Sequence, residues 1–325
     1  MRRPSIARVA GILAVALVAP VSADGDHHHD PVVFPITTES ERAQELVNQG
    51  LAQAYGFNHD QAAASFREAT KEDSSCAMCW WGLALVLGPN INFPMDPSVH
   101  QEAWAATENA VELASTATPR EQAYIDALSE RYGPDWLEDR SSRDLAYARA
   151  MRRVAMGFPD DLNAQTLLAE ALMDTTPWDY WLADGSPKQV TEEFIAVLES
   201  VLKRQADHPG AAHYLIHAVE KARPELGVPA ADRLAEAPQA TGHLRHMASH
   251  IYIRVGRYHD ASRVNLEAIE NDQELMAGEH ATGVYTAFLA PHNVHFLVAS
   301  SSLEGRRQLA LDSAWKVRGM VDEEV

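Results

Sequence analysis

The sequence contains little cysteine, no excess of positive charge and, beyond its N-terminus, no long apolar run. Only two cysteines occur among 325 residues, which excludes a disulfide-rich scaffold. The formal net charge is -19, and no Lys/Arg cluster offsets it, so nucleic acid is not expected as a partner. Such acidity favours solubility and also suits the capture of cations.

The first 23 residues have the pattern of a secretory signal peptide. Three arginines precede an apolar segment, Val9–Val18, and Val21–Ala23 form a small-residue cleavage site. The apolar segment is shorter than the ~20 residues that a membrane helix needs. We therefore expect a periplasmic or secreted protein with no membrane span after cleavage. Residues 24–38 lack a helical period and are predicted to form a flexible leader containing His27–His29.

From Glu39 onward the sequence predicts an all-α chain. Alanine-rich amphipathic segments alternate with turns at Gly and Pro, and no alternating β pattern is present. Small and aromatic residues follow a fixed spacing in the first segment, where Ala62, Phe66 and Ala69 lie 12, 16 and 19 residues after Gly50. This pattern resembles the tetratricopeptide repeat, a helix-turn-helix unit of about 34 residues.

The same spacing recurs in two later segments, around Ser249 and around Val298, and looser copies fill the remainder. Two insertions, at 88–96 and 175–187, precede second helices. The chain resembles an exported, bacterial-type member of this family. The resemblance implies a right-handed superhelical solenoid over residues 39–325. Its first helices would line a concave surface that binds peptides or partner proteins. No polar capping helix follows the last unit, which leaves open whether the array is complete at Val325.

Histidines recur at aligned positions on the predicted first helices. One pair lies six and three residues before Ser249, and another lies six and three residues before Val298. His213 and His217 lie one turn apart on the preceding predicted first helix, and His250 directly follows Ser249. The resulting set is His213, His217, His243, His246, His250, His292 and His295.

These seven histidines predict a transition-metal site on the concave face. Adjacent helices lie about 8–10 Å apart, so imidazoles on facing sides can share one ion. Imidazole is the commonest metal ligand and suits Cu and Zn. A single helical histidine is more often an interior packing residue, and a groove of histidines can also bind an anionic organic ligand without metal.

Cys76, Cys79 and Glu220 are possible additional ligands. The cysteines lie six and three residues before Gly82, the position of the histidine pairs in other units. They could bind a soft ion such as Cu(I), form a redox disulfide, or form an inert one. Glu220 occupies the position that corresponds to His250 and could act as ligand or base.

The two insertions could cover a pocket above the histidines or only fill gaps between repeats. Trp178–Trp181 in one and Asn90, Asn92 and Met95 in the other are the residues concerned. No HExxH, GxSxG, Walker or haem-attachment motif occurs, so no catalytic residue is identified.

Asp174 and Asp179 could form an acid/base pair, or serve as a helix cap and a solvated loop residue. Three functions therefore remain open: a metal-binding protein, a metal-free scaffold for a protein or peptide, and a metalloenzyme.

Overall fold

The computed structural model describes residues 32–237, 241–276 and 285–320. Within these ranges the chain forms helices and no strand, with one isolated bridge between Trp181 and Pro187. This confirms the all-α class. The predicted signal peptide and His27–His29 lie outside the described residues. The helices are α1 (Glu41–Tyr55), α2 (His59–Glu72), α3 (Ala77–Val86), α4 (His100–Leu113), α5 (Pro119–Ser129), α6 (Ser141–Gly157), α7 (Leu162–Asp174), α8 (Gln189–Arg204), α9 (Pro209–Val219), α10 (Pro224–Glu236), α11 (Gly242–Arg254), α12 (Tyr258–Met276), α13 (Ala290–Glu304) and α14 (Arg307–Met320).

Three shorter helical segments complete the described secondary structure. Pro97–Val99 and Ala114–Thr116 are 3-10 turns that flank α4, and Tyr285–Leu289 is a π-helical turn that leads into α13. No helix in the described ranges is long and apolar enough to cross a membrane.

The helices pack in consecutive pairs, as expected for a helical-repeat array. Each odd-numbered helix packs against the even-numbered helix that follows it. Odd-numbered helices of neighbouring pairs also pack side by side, as α1 does with α3 and as α11 does with α9 and α13. The odd-numbered helices are thus the first helices of the repeats, and residues on them face one another across successive units.

Local capping sets where several helices begin. The Ser40 hydroxyl accepts from the amide of Ala43 at the start of α1. Thr118 and Glu121 form a reciprocal capping box at the start of α5. The Asp161 carboxylate accepts from two amides at the start of α7. Each cap satisfies amide groups that the first helical turn leaves without a partner.

Small residues allow the first two pairs to pack closely around Phe66. A Cβ atom at Gly50 would lie 2.7 Å from Cε2 of Phe66, and one at Gly82 would lie 2.0 Å from its Cε1. The phenyl ring therefore occupies the space that a side chain would take on both α1 and α3. This is the physical reason for the small residue at the aligned position of the repeat.

The array curls so far that its first pair meets its fifth. The C-terminal end of α1 packs against α9, where the carbonyl oxygen of Tyr55 lies 2.6 Å from Nδ1 of His213. A small rotation between successive repeats accumulates along such an array and determines its curvature. The curvature here encloses the inner surface of α9 and its neighbours.

Residues 32–38 differ from the flexible leader that the sequence predicts. Phe34 is fully buried, with its ring centroid 5.5 Å from Trp81 and 5.3 Å from Tyr124. The guanidinium carbon of Arg120 lies 4.5 Å from the centre of the same ring. This segment therefore docks between first helices, since the free energy gained by burying a phenyl ring outweighs the entropy lost when a short free segment becomes ordered.

Side chains of the first helices also bind the backbone of this segment. Gln44 donates to the carbonyl of Phe34 and accepts from the amide of Ile36. Glu121 accepts from both the amide and the hydroxyl of Thr37. Residues 32–38 thus occupy the inner surface formed by the N-terminal half of the array.

Candidate metal centre

Three neighbouring first helices gather six of the seven predicted histidines in the interior. Helix α9 contributes two, α11 three and α13 one. They form two all-histidine groups whose ligand atoms lie within 4.8 Å of one another, and His217, Glu220 and His250 form a third group at the same distance that links the two. We name these the first triad, which comprises His213, His217 and His243, and the second triad, which comprises His246, His250 and His292.

Hydrogen bonds set the tautomers in the first triad. Nδ1 of His213 lies 2.6 Å from the carbonyl oxygen of Tyr55, which can only accept, so this nitrogen carries the proton. Nδ1 of His217 lies 3.1 Å from a carboxylate oxygen of Glu220 and donates in the same way. In each neutral ring Nε2 is therefore an unprotonated acceptor.

The remaining ring nitrogens of the first triad have no protein partner. Nε2 of His213, Nε2 of His217 and both ring nitrogens of His243 are buried without a hydrogen bond among the described residues. Buried polar atoms are nearly always satisfied, and those without a partner often mark a site for an ion or another ligand. Four such atoms in one interior cluster are consistent with a cation-binding group.

The tautomer of His246 in the second triad is set by Asn265. The amide nitrogen of Asn265 donates to the carbonyl of Ala261 over 2.7 Å, which leaves its oxygen facing His246. That oxygen lies 2.6 Å from Nδ1 of His246, so Nδ1 donates and Nε2 is the acceptor. The proton position is assigned from this hydrogen-bond network.

Three Nε2 atoms converge in the second triad. Nδ1 of His250 lies 2.7 Å from a carboxylate oxygen of Glu220. Its Nε2 lies 3.0 Å from Nε2 of His246 and 3.4 Å from Nε2 of His292. Lone pairs of neutral imidazoles at these distances repel one another, and a proton or a metal cation between them removes the repulsion.

Glu220 connects the two triads. One of its oxygens contacts His217 and the other contacts His250. Burial by itself raises the pKa of this carboxyl, but the attraction and hydrogen bonds of His250 and His217 outweigh it and hold the pKa well below the usual range. Glu220 is therefore an anion that orients one imidazole of each triad, the arrangement by which carboxylates support metal-bound histidines.

Burial keeps most of the histidines neutral. Removal from water lowers the pKa of His213, His243 and His246 well below the ordinary value, and the neighbouring histidines lower it further. The same causes lower the pKa of His292 to about 3. Neutral imidazole is the form that binds metal ions, so these four histidines do not have to lose a proton near neutral pH.

Two strained residues form part of the wall. Phe57 and Trp178 are the non-glycine residues with positive φ in the described chain, at 56° and 61°. The Phe57 ring centre lies 4.4 Å from that of His213, and the Trp178 ring centre lies 5.1 Å from that of His217. Strained backbone at non-glycine residues is concentrated at functional sites, where the surrounding structure holds it in place.

The insertion at 175–187 therefore lies against the histidines. Trp178 contacts the first triad, and the indole nitrogen of Trp181 donates to the carbonyl of Ala218 on α9 over 2.8 Å. Tyr180 and Trp181 are buried. Of the two roles left open for this insertion, the contacts of Trp178 favour a cover over the site.

The other insertion, 88–96, packs elsewhere. Its Phe93 contacts Phe288 with ring centres 5.8 Å apart. Asn90 and Met95 line a cavity of about 370 Å³ together with Asp174. Because Phe288 lies four residues before His292, this insertion contacts the segment that leads into α13, and its role as cover or gap filler stays open.

Sequence reasoning missed Phe296 and Asp272. Phe296, one turn after His292 on α13, lies with its ring centre 4.3 Å from that of His250 and forms one wall of the second triad. Asp272 accepts from the Tyr285 hydroxyl and from Asn293. These bonds join α12 to the segment that begins α13. The sequence could have indicated Phe296, because it lies four residues after His292 on the same face of α13. The contacts of Asp272 depend on tertiary packing.

The remaining predicted site residues do not join the triads. His295 is exposed and belongs to neither triad. Cys76 and Cys79 form a buried disulfide, which corrects their proposed role as additional ligands because disulfide sulfurs are not thiolates. Of the three states left open for this pair, the structure has a disulfide.

The two aspartates considered as an acid/base pair have separate partners. Asp174 is buried and pairs with Arg131 over 2.8 Å. Asp179 pairs with Lys188. Neither is bonded to a histidine of the triads, so the geometry gives them no shared chemistry.

Together the fold and the site define a helical-repeat protein with a buried six-histidine cluster. No family model matches the chain, and no curated protein matches it. Among solved structures, it is similar to residues 1–338 of an assembly chaperone of RpL4 (Acl4), with 14% identity over 82% of this chain and 84% of that chain. The TM-score is 0.31, and the fold class rests on the consecutive packing of the helices.

Proposed function

We propose that this is an exported, tetratricopeptide-type protein that binds a transition metal, Cu or Zn, through the histidines of its two triads. The observation that carries the proposal is the convergence of Nε2 atoms whose rings already donate through Nδ1. The acceptors of these Nδ1 groups are the Tyr55 carbonyl, the Asn265 side-chain oxygen and Glu220. Metal-binding histidines are oriented in this way in known sites.

The donor set fits a borderline or soft ion. Imidazole nitrogen suits both Cu and Zn. The spread of up to 4.8 Å between donors within a triad is wider than the about 3.4 Å expected for neighbouring ligands of a tetrahedral ion. Small rotations of the imidazole rings toward the ion would close this difference.

Export is supported by two independent features. The first 23 residues have the signal-peptide pattern. The Cys76–Cys79 disulfide favours an oxidising compartment, since thiols remain reduced in the cytosol.

A metalloenzyme is the second candidate function. Each triad offers three ring nitrogens, and three protein ligands leave a tetrahedral ion one position for water or substrate. The strained Trp178 beside His217 would then restrict access to that position. A metal-free peptide scaffold is less favoured, because residues 32–38 already occupy part of the inner surface.

The test is a metal titration of the purified full chain after chelation. Tight binding to the folded state stabilises it, by about 4 kcal/mol when the free ion is a thousandfold above its Kd. We expect Cu or Zn to raise the melting temperature. Replacing His246 and His250 together by alanine should reduce the rise, because the first triad stays intact, while the far-ultraviolet spectrum stays helical.

His295→Ala is the matched control, since that imidazole lies on the same group of helices but is exposed. No bound metal and no thermal shift in the wild-type chain would overturn the proposal. A double variant that unfolds without metal would instead assign these two histidines to the core.

A further inference from the structure

We infer that the six histidines form a two-ion centre, with one ion in each triad and Glu220 between them. This inference rests on the proposed metal-binding function and adds the number of ions, their ligands and their charge. Six imidazoles exceed what a tetrahedral ion accepts. The donors therefore have to be divided, and the structure divides them into the two triads.

Ring distances support this division. In the first triad the ring centre of His213 lies 4.8 Å from His217 and 5.0 Å from His243. Across the triads, the facing rings of His217 and His250 are 5.6 Å apart.

The second triad shows a weaker contrast. Its His246 ring centre lies 4.9 Å from those of His250 and His292, and the His250 and His292 ring centres lie 5.5 Å apart. The facing rings of His243 and His246, which belong to different triads, are 5.7 Å apart. The two groups adjoin through His217 and His250, so two ions would be close neighbours.

Glu220 fixes the separation between the groups. Its two oxygens bond Nδ1 of His217 and Nδ1 of His250, so the Nε2 atoms of these rings are directed to different triads. Its negative charge also lies between the two proposed ions and lowers their mutual repulsion. Glu220 is therefore a positioning residue for both sites, with its oxygens occupied by hydrogen bonds.

The charge of the donor set indicates which ions fit. Six neutral imidazoles and one carboxylate carry a single negative charge, so two monovalent ions leave one net positive charge and two divalent ions leave three. Net charge in a dry interior is costly. Two Cu(I) ions therefore suit this centre better than two Zn²⁺ ions, and a three-imidazole site matches the low coordination number of Cu(I).

The experiment is anaerobic loading of the full chain with Cu(I), removal of unbound ion by gel filtration, and measurement of copper per chain by elemental analysis. We expect two copper ions per wild-type chain. His243→Gln, in the first triad, and His292→Ala, in the second, should each leave one. His295→Ala should retain two, and X-ray absorption should show nitrogen donors without sulfur.

The possible results separate this inference from the proposed function. One copper per wild-type chain, lost in both variants, would overturn the two-ion centre and leave metal binding intact. Two copper ions unaffected by either variant would place them elsewhere and overturn it as well. No retained copper would overturn the two-ion centre, and no zinc binding in the earlier metal titration as well would overturn both. Should His243→Gln fail to fold by circular dichroism, His213→Gln tests the same triad.

Discussion

Glu220 accepts a hydrogen bond from Nδ1 of His250 over 2.7 Å, while its other oxygen lies 3.1 Å from Nδ1 of His217. The two histidines belong to different helices, α11 and α9. A single carboxylate thus sets the tautomer and orientation of one imidazole in each triad. Its effect on metal binding can be measured without removing any proposed ligand.

Glu220→Gln should weaken metal binding without abolishing it. A glutamine side chain has one acceptor oxygen, so it can accept from only one of the two Nδ1 groups, and its amide opposes the other. Loss of such a supporting carboxylate typically costs 10–100-fold in metal affinity. Competition titration against a chelator of known affinity measures the change. Glu225→Gln, at an exposed position on the next helix, should leave the affinity unchanged, and an equal effect at both positions would contradict the role of Glu220.

Phe34→Ala should strongly destabilise the metal-free protein. The ring is fully buried between Trp81 and Tyr124, and truncation of a buried phenylalanine typically costs about 3–5 kcal/mol. Urea unfolding followed by circular dichroism gives the free energy of unfolding. The neighbouring Val33 is 67% exposed, so Val33→Ala should cost less than about 0.5 kcal/mol. Similar small losses for both would mean that residues 32–38 are not docked in solution.

His208 should make the metal-free protein less stable as the pH falls. Burial lowers the pKa of this histidine from 6.5 to about 4, so the unfolded chain takes up the proton first. Stability is therefore lost as the pH falls below 6.5, and the loss reaches about 3 kcal/mol at pH 4. Unfolding free energies measured across this range test the expectation.

A variant can isolate this contribution. Nδ1 of His208 accepts from the amide of Ala211 at the start of α9, and asparagine is a favoured residue at such a position. His208→Asn should therefore keep the helix cap and flatten the pH dependence by about one proton. His259→Asn, at a ring that is 76% exposed, is the control. An unchanged slope for His208→Asn would show that other groups cause the loss.

Gly82→Ala should destabilise the array, although alanine favours helix formation. The added Cβ would lie 2.0 Å from Cε1 of Phe66, and overpacking of a core typically costs 1–3 kcal/mol. That cost exceeds the gain of up to about 1 kcal/mol in helix propensity. Gly157→Ala is the matched control because nothing lies within 4 Å of its Cβ position, so it should be neutral or stabilising. Thermal unfolding of the two variants compares them directly.

Much of the repeat architecture could be predicted from local pattern. The spacing of Gly50, Ala62 and Phe66 indicated a helical pair because packing at short interaxial distance requires small residues at the crossing. The same alignment placed histidines on α9, α11 and α13 at positions that face one another. Six of the seven are indeed gathered there, while the binding of metal itself stays a prediction.

Other features of the site could not be predicted from the sequence. His292 and His295 are three residues apart, so both lie toward one side of α13, and only the packing of that helix directs His292 to the triad and leaves His295 exposed. The docking of Phe34 depends on which surfaces the folded array brings together.

The sequence by itself determined the all-α repeat, its small crossing residues and the helices that carry the histidines. These features depend on periodicity and on contacts within a repeat or between neighbouring repeats. Only the tertiary structure decided that α1 meets α9, that Phe57 and Trp178 wall the cluster and that Glu220 lies between two triads. Such contacts depend on small rotations that accumulate over many repeats, and no local pattern specifies their sum.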